Sequence, residues 1–117
     1  MYLQTNLKEL TTDAELQSYI NDNENVMICC GRMGPMCIPV YGVMEELEEE
    51  DEFSHVKFAV MGFDNPEAGA IRNAPECRTF MGIPFTMYYK NGKLVTATSS
   101  IQSRGQITSI IERELGK

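Results

Sequence analysis

The residues best suited to covalent chemistry in this 117-residue chain are its four cysteines, Cys29, Cys30, Cys37 and Cys77. A cysteine attacks as the thiolate, and a dithiol couple needs a second thiol in reach of the first, most compactly as Cys-x-x-Cys. That spacing does not occur here. Cys37 follows Gly34-Pro35-Met36 and leads into an apolar-periodic segment. It is therefore expected at or near the first turn of a helix, where a thiol pKa tends to fall. Two uses are open to it: a single reactive thiol that forms mixed disulfides, or a small apolar residue packed under the turn. Cys29 and Cys30 are adjacent in an apolar run. On a strand they face opposite sides, so both cannot serve one site and at least one belongs to the core. A Cys30–Cys37 disulfide needs the strand end and the helix start to bring the Cα atoms within ~7 Å. The six intervening residues permit that without favouring it. Cys77 falls in an irregular helical stretch and is expected exposed or half-buried, with no partner evident in the sequence.

Other chemistries find little support. The cysteines and the one histidine, His55, lack the paired short spacings of tetrahedral zinc sites, so no metal site is expected. His55 reads as a loop residue before a strand. Gly31-Arg32-Met33-Gly34 lacks the third glycine of a nucleotide fingerprint and reads as a turn. No Ser/His/Asp set or paired-carboxylate arrangement stands out, and no cofactor is expected.

The bulk composition bounds the rest. A length of 117 residues, with 43% hydrophobic and 23% charged residues, fits a single globular domain over 1–117. The net charge is −7, and much of it lies in the acidic run at residues 45–52. Nucleic acid is not an expected partner, because phosphate binding needs clustered Lys and Arg. The run could attract a basic partner, although a solvated helix face ending in a loop is the blander reading. No stretch approaches the ~20 apolar residues of a membrane span, so no membrane partner is expected. No basic region followed by an apolar one marks an export signal, and the cysteines are then expected reduced, in a cytoplasmic monomer.

Periodicity places these residues on strands and helices. Leu16, Tyr19 and Ile20 recur at helical spacing behind Thr12, with Glu15 placed for a capping box. The run 26–30, apolar on both faces, predicts a buried central strand. Val40, Val43, Met44 and Leu47 mark the buried face of a second helix, with Pro39 tolerated in its first turn. Residues 56–63 predict a second strand. A poorer helical stretch over 67–80 is interrupted by Pro75. Asn91-Gly92, between the β-rich runs 85–90 and 93–98, predicts a tight hairpin. Ser103 is placed to cap a last helix that buries Ile107, Ile110, Ile111 and Leu115. Strands joined by helices, followed by a hairpin, imply an α/β fold: a central mixed sheet with helices on both faces.

That order resembles the thioredoxin family over nearly the whole chain. The sharpest likeness is Phe80-Met81-Gly82-Ile83-Pro84-Phe85-Thr86 followed by Tyr89-Lys90-Asn91-Gly92-Lys93; Ser103-Arg104-Gly105-Gln106-Ile107 at the last helix is a third piece. The resemblance implies a thioredoxin fold with a cis Ile83–Pro84 bond. It also implies a Cys-x-x-Cys at the N-terminus of the helix after the central strand, where this chain has Arg32-Met33-Gly34-Pro35-Met36-Cys37. One register places Met33 and Met36 at the two cysteine positions; the other places Gly34 at the nucleophile and Cys37 at the resolving position. Further family features are absent: no tryptophan precedes the site, Met27 stands where a buried Asp is usual, and Val60 stands near where its Lys partner belongs.

Two functions are carried forward. The first is a thioredoxin-like protein with a degenerate redox site that binds extended protein segments within a thiol pathway, through Met33, Gly34, Pro35, Met36, Ile83 and Pro84. Met81 would join Met33 and Met36 on that surface, and thioethers adapt to varied apolar partners. The alternative is an atypical oxidoreductase or redox sensor acting on protein thiols through Cys37, with or without Cys30.

Overall fold

The run around Val26 alternates into two separate cores. The computed structural model describes residues 3–74 and 83–116. In chain order its elements are β1 (Lys8–Leu10), α1 (Asp13–Asp22), β2 (Asn25–Gly31), α2 (Ile38–Glu48), β3 (Lys57–Gly62), α3 (Gly69–Arg72), β4 (Phe85–Lys90), β5 (Lys93–Ser99) and α4 (Arg104–Ile110). The sheet order is β1-β3-β2-β4-β5. β2 pairs parallel to β3 and antiparallel to β4, which makes it the central strand. Val26, Ile28 and Cys30 face Leu16 and Ile20 of α1 and Ile71 of α3. Met27 and Cys29 face Val40, Met44 and Leu47 of α2, Ile107 of α4 and Ile111 just beyond it. Every residue of β2 is buried because helices cover both faces of the sheet.

Local signals explain the helices. The Thr12 side chain accepts from the Glu15 amide at 3.1 Å and starts α1. The expected capping box closes differently: Glu15 Oε1 takes the Thr11 amide at 3.0 Å and the Thr11 hydroxyl at 2.5 Å, one residue farther back than Thr12. α2 begins at Ile38 with Pro39 in its first turn, where the missing amide costs no hydrogen bond. Its buried face includes Tyr41 as well as Val40, Met44 and Leu47, while Val43 is only half-buried. Removing each of the large apolar side chains from water contributes ~1.5–3 kcal/mol. In α4 the Ser103 hydroxyl and Gln106 side chain cap each other's amides reciprocally, and the helix continues as a π-helical stretch, Ile111–Leu115.

The hairpin turns on Asn91 (φ 53°) and Gly92 (φ 82°), the two successive left-handed residues that a type I′ turn requires. The Asn91 amide donates to the Glu24 carbonyl at 2.7 Å, tying the hairpin to the connection between α1 and β2. The described part of the stretch expected to be irregular forms a 3-10 turn, Pro66–Ala68, and then the single turn of α3. Pro75, Cys77, Phe80, Met81 and Gly82 lie outside the described residues. Among the described residues no helix is long and apolar enough to cross a membrane.

Candidate functional site

The site begins where β2 runs out. A Cβ on Gly31 would sit 2.8 Å from both Cys37 Sγ and the Tyr41 hydroxyl oxygen, so only glycine fits under the start of α2. The chain then leaves the sheet at Arg32. Its guanidinium grips Asp64 in a two-point contact, Nε to Oδ2 at 2.8 Å and Nη2 to Oδ1 at 2.9 Å, and lies 5.5 Å from the centre of the Phe63 ring. This pairing holds the Asp64 carboxyl below its ordinary range, chiefly through the hydrogen bond from Arg32. The Tyr41 hydroxyl donates to the Arg32 carbonyl at 3.0 Å, and the Arg32 amide points at Cys37 Sγ at 3.4 Å. Side chain, helix and strand end thus hold Arg32 from three directions.

Residues 33–37 turn over this anchor. The Gly34 carbonyl accepts the amides of Cys37 (3.1 Å) and Ile38 (3.0 Å), closing the turn and opening α2. Met33, Met36 and Ile38 are 39%, 43% and 47% exposed, whereas Cys37 is 1% exposed. The thioethers face solvent and the thiol lies beneath them. Met33 also ties back to the N-terminal segment, its sulfur accepting the Gln4 amide at 3.3 Å.

The remaining cysteines separate by face. Cys29 lies in the same buried cluster as Cys37 and Tyr41, while Cys30 lies in the cluster across the sheet. Cys30 is therefore not the strand neighbour that shares Cys37's side; Cys29 is. Gly31 shares the side of Cys29, two residues away, and Cys37 packs over Gly31. Burial pushes the Cys29 thiol far up, against the hydrogen bond that the Thr86 hydroxyl donates to its sulfur at 3.7 Å. A thiol held protonated in this way is a packing group, since the thiolate is the nucleophile.

Ile83 and Pro84 reach the same end of the sheet. Cys30 pairs with Phe85 across β2 and β4, which puts Pro84 beside Gly31, where the turn departs. The Ile83–Pro84 peptide bond is cis. Ile83 is half-buried against the α2/α4 cluster, and Pro84 is buried. Met33, Gly34, Pro35 and Met36 thus form one turn at the strand end that Ile83 and Pro84 flank, with Cys37 below. Sequence reasoning missed Gly31, Tyr41 and the Arg32–Asp64 clasp. Tyr41, four residues after Cys37, was the available signal, since i and i+4 share a helix face.

Several solved structures are similar to this one over most of their length. The thioredoxin of Plasmodium falciparum is 23% identical, with 92% of this chain and 99% of that chain covered and a TM-score of 0.73. The thioredoxin of Fasciola hepatica is 23% identical, with 92% and 98% covered and a TM-score of 0.74. Thioredoxin f2 of Chlamydomonas reinhardtii is 16% identical, with 95% and 98% covered and a TM-score of 0.74. No protein-family model and no curated protein matches the sequence. At these identities the likeness establishes the architecture: the chain has the thioredoxin fold.

Proposed function

We propose that this protein is a thioredoxin-like module with a degenerate redox site, which binds extended segments of protein partners in a thiol pathway. Its docking surface is the turn of Met33, Gly34, Pro35 and Met36 together with Ile83 and Pro84. One observation carries the reading: two thioethers occupy the solvent-facing positions of the turn while Cys37 lies 1% exposed beneath them. Methionine gives such a surface adaptable apolar contact without redox cycling between thiols. The strand end beside Pro84 supplies backbone against which an extended segment can lie.

A second reading, monothiol chemistry at Cys37, is favoured by the Arg32 amide aimed at Cys37 Sγ. It requires the turn to open before a partner's sulfur can reach that thiol. The two readings separate in one pair of assays. Insulin-disulfide reduction with a thioredoxin-reducing system is expected to show no turnover. An apolar, cysteine-free extended peptide is expected to bind, and to lose affinity when Met33→Asp and Met36→Asp are combined. Turnover abolished by Cys37→Ser would establish the second reading instead, and absence of peptide binding would remove the first.

A further inference from the structure

Gly42 stands in the middle of α2, where glycine weakens a helix relative to alanine. Among the described residues nothing asks for it. Its φ is outside the left-handed region, and a Cβ built there would meet nothing within 4 Å. Gly42 instead borders an open groove of about 460 Å³ lined by Asn6, Glu45, Glu46, Glu48 and Glu49. Ile38, Gly42, Glu45 and Glu49 follow one another at i, i+4, i+7 and i+11, so they form a single stripe along the outside of α2. The stripe starts at the apolar turn of Met36 and Ile38 and ends among carboxylates. Those carboxylates crowd one another: partial burial, then Glu45 and Glu49, hold the Glu48 carboxyl above its ordinary range.

We propose that this stripe extends the docking surface, and that its occupant is an extended, basic protein segment. An apolar side chain of the segment rests on Met36 and Ile38, its backbone crosses α2 at Gly42, and Lys or Arg side chains meet Glu49 and Glu45, whose Oε2 also accepts the Asn6 amide at 2.7 Å. The inference rests on the peptide-docking reading above and specifies the partner's chemistry. Charge complementarity selects the occupant: the stripe is acidic and the whole chain carries −7. Spacing then follows from geometry. Glu45 and Glu49 lie ~10 and ~16 Å beyond Ile38 along the axis at ~1.5 Å per residue. An extended chain covers these spans in about three and five residues at ~3.3 Å each.

The test uses fluorescence anisotropy with the full chain and three labelled synthetic peptides. Each peptide carries one Leu; one has Lys three and five residues from it, the second has Ser at both positions, and the third has Glu. The Lys peptide is expected to bind roughly three- to tenfold more tightly than the Ser peptide, as two exposed ion pairs allow. That advantage shrinks as salt rises from ~0.05 to ~0.5 M. Glu49→Lys removes it. Gly42→Leu weakens all peptides by about tenfold or more through steric filling of the crossing point; its thermal midpoint is measured beside it, and an unchanged midpoint shows that the loss is one of binding. Equal binding of the Lys and Ser peptides, or unchanged binding by Gly42→Leu, would overturn the inference while leaving the docking reading in place. Failure of every peptide to bind the wild-type chain would remove both.

Discussion

Gly31, Cys37 and Tyr41 form the closest packing at the site. The phenol of Tyr41 holds the Arg32 carbonyl, and Cys37 Sγ fills the space above Gly31. Both groups meeting a Cβ on Gly31 are short or rigid, so neither swings aside cheaply. Gly31→Ala is therefore expected to lower stability by ~1–3 kcal/mol, the usual cost of overpacking; urea unfolding measures it. A loss well under that range would mean that the turn yields and Cys37 is less firmly seated than its burial indicates. At this scale the opposite facing of Cys29 and Cys30 was legible, because side-chain alternation along a strand is local. The depth of Cys37 was not. Periodicity placed it near a helix start, but whether its sulfur faces solvent depends on how Arg32 and the turn fold back over the sheet.

The helices differ in how much of their definition is local. Ser103 and Gln106 satisfy each other's backbone amides, Ser103 N to Gln106 Oε1 at 2.8 Å and Gln106 N to Ser103 Oγ at 3.2 Å. Such caps are readable because all the partners lie within one turn. Ser103→Ala is expected to destabilise the protein by ~0.5–2 kcal/mol, seen as a lower thermal midpoint with little change in the folded-state circular dichroism. Arg104, next to the cap, reaches Glu46 and Glu50 and links α4 to α2, a contact across 58 and 54 positions of chain that no local pattern announces. In α1 the cap was recognised at Thr12, yet Glu15 chose Thr11. A carboxylate with two donors at one residue takes both, and the sequence motif does not encode that competition.

Across the whole molecule, three buried or half-buried tyrosines make folding sensitive to alkali. Burial, with a smaller contribution from Glu48, pushes the Tyr19 phenol up to about 12. Burial pushes Tyr41 and Tyr88 farther still, with nearby thiols adding to it. All three are raised acids, so the folded state keeps protons that the unfolded chain releases near pH ~10. Stability is then fully present below pH ~10 and falls as pH rises from there through about 12 for Tyr19. Urea midpoints followed from pH ~8 to ~11 should stay level and then drop at the alkaline end, with a shallower drop in Tyr41→Phe. A level profile throughout would show that these phenols ionise as freely in the folded chain as in the unfolded one.

Apart from β1, which no periodicity marks, the amino-acid order alone carries the succession of the described strands and helices, the central position of β2 and the Asn91-Gly92 hairpin. Each of these rests on periodicity or on residues a few positions apart. It also determined that no Cys-x-x-Cys is present. The tertiary structure decided which cysteine shares Cys37's side, that the thioethers rather than the thiol face water, and that Arg32 is clasped by Asp64, 32 positions away. It also revealed that Gly42 opens on a groove. These outcomes depend on how the sheet brings distant segments to one edge, and no window of neighbouring residues contains that information.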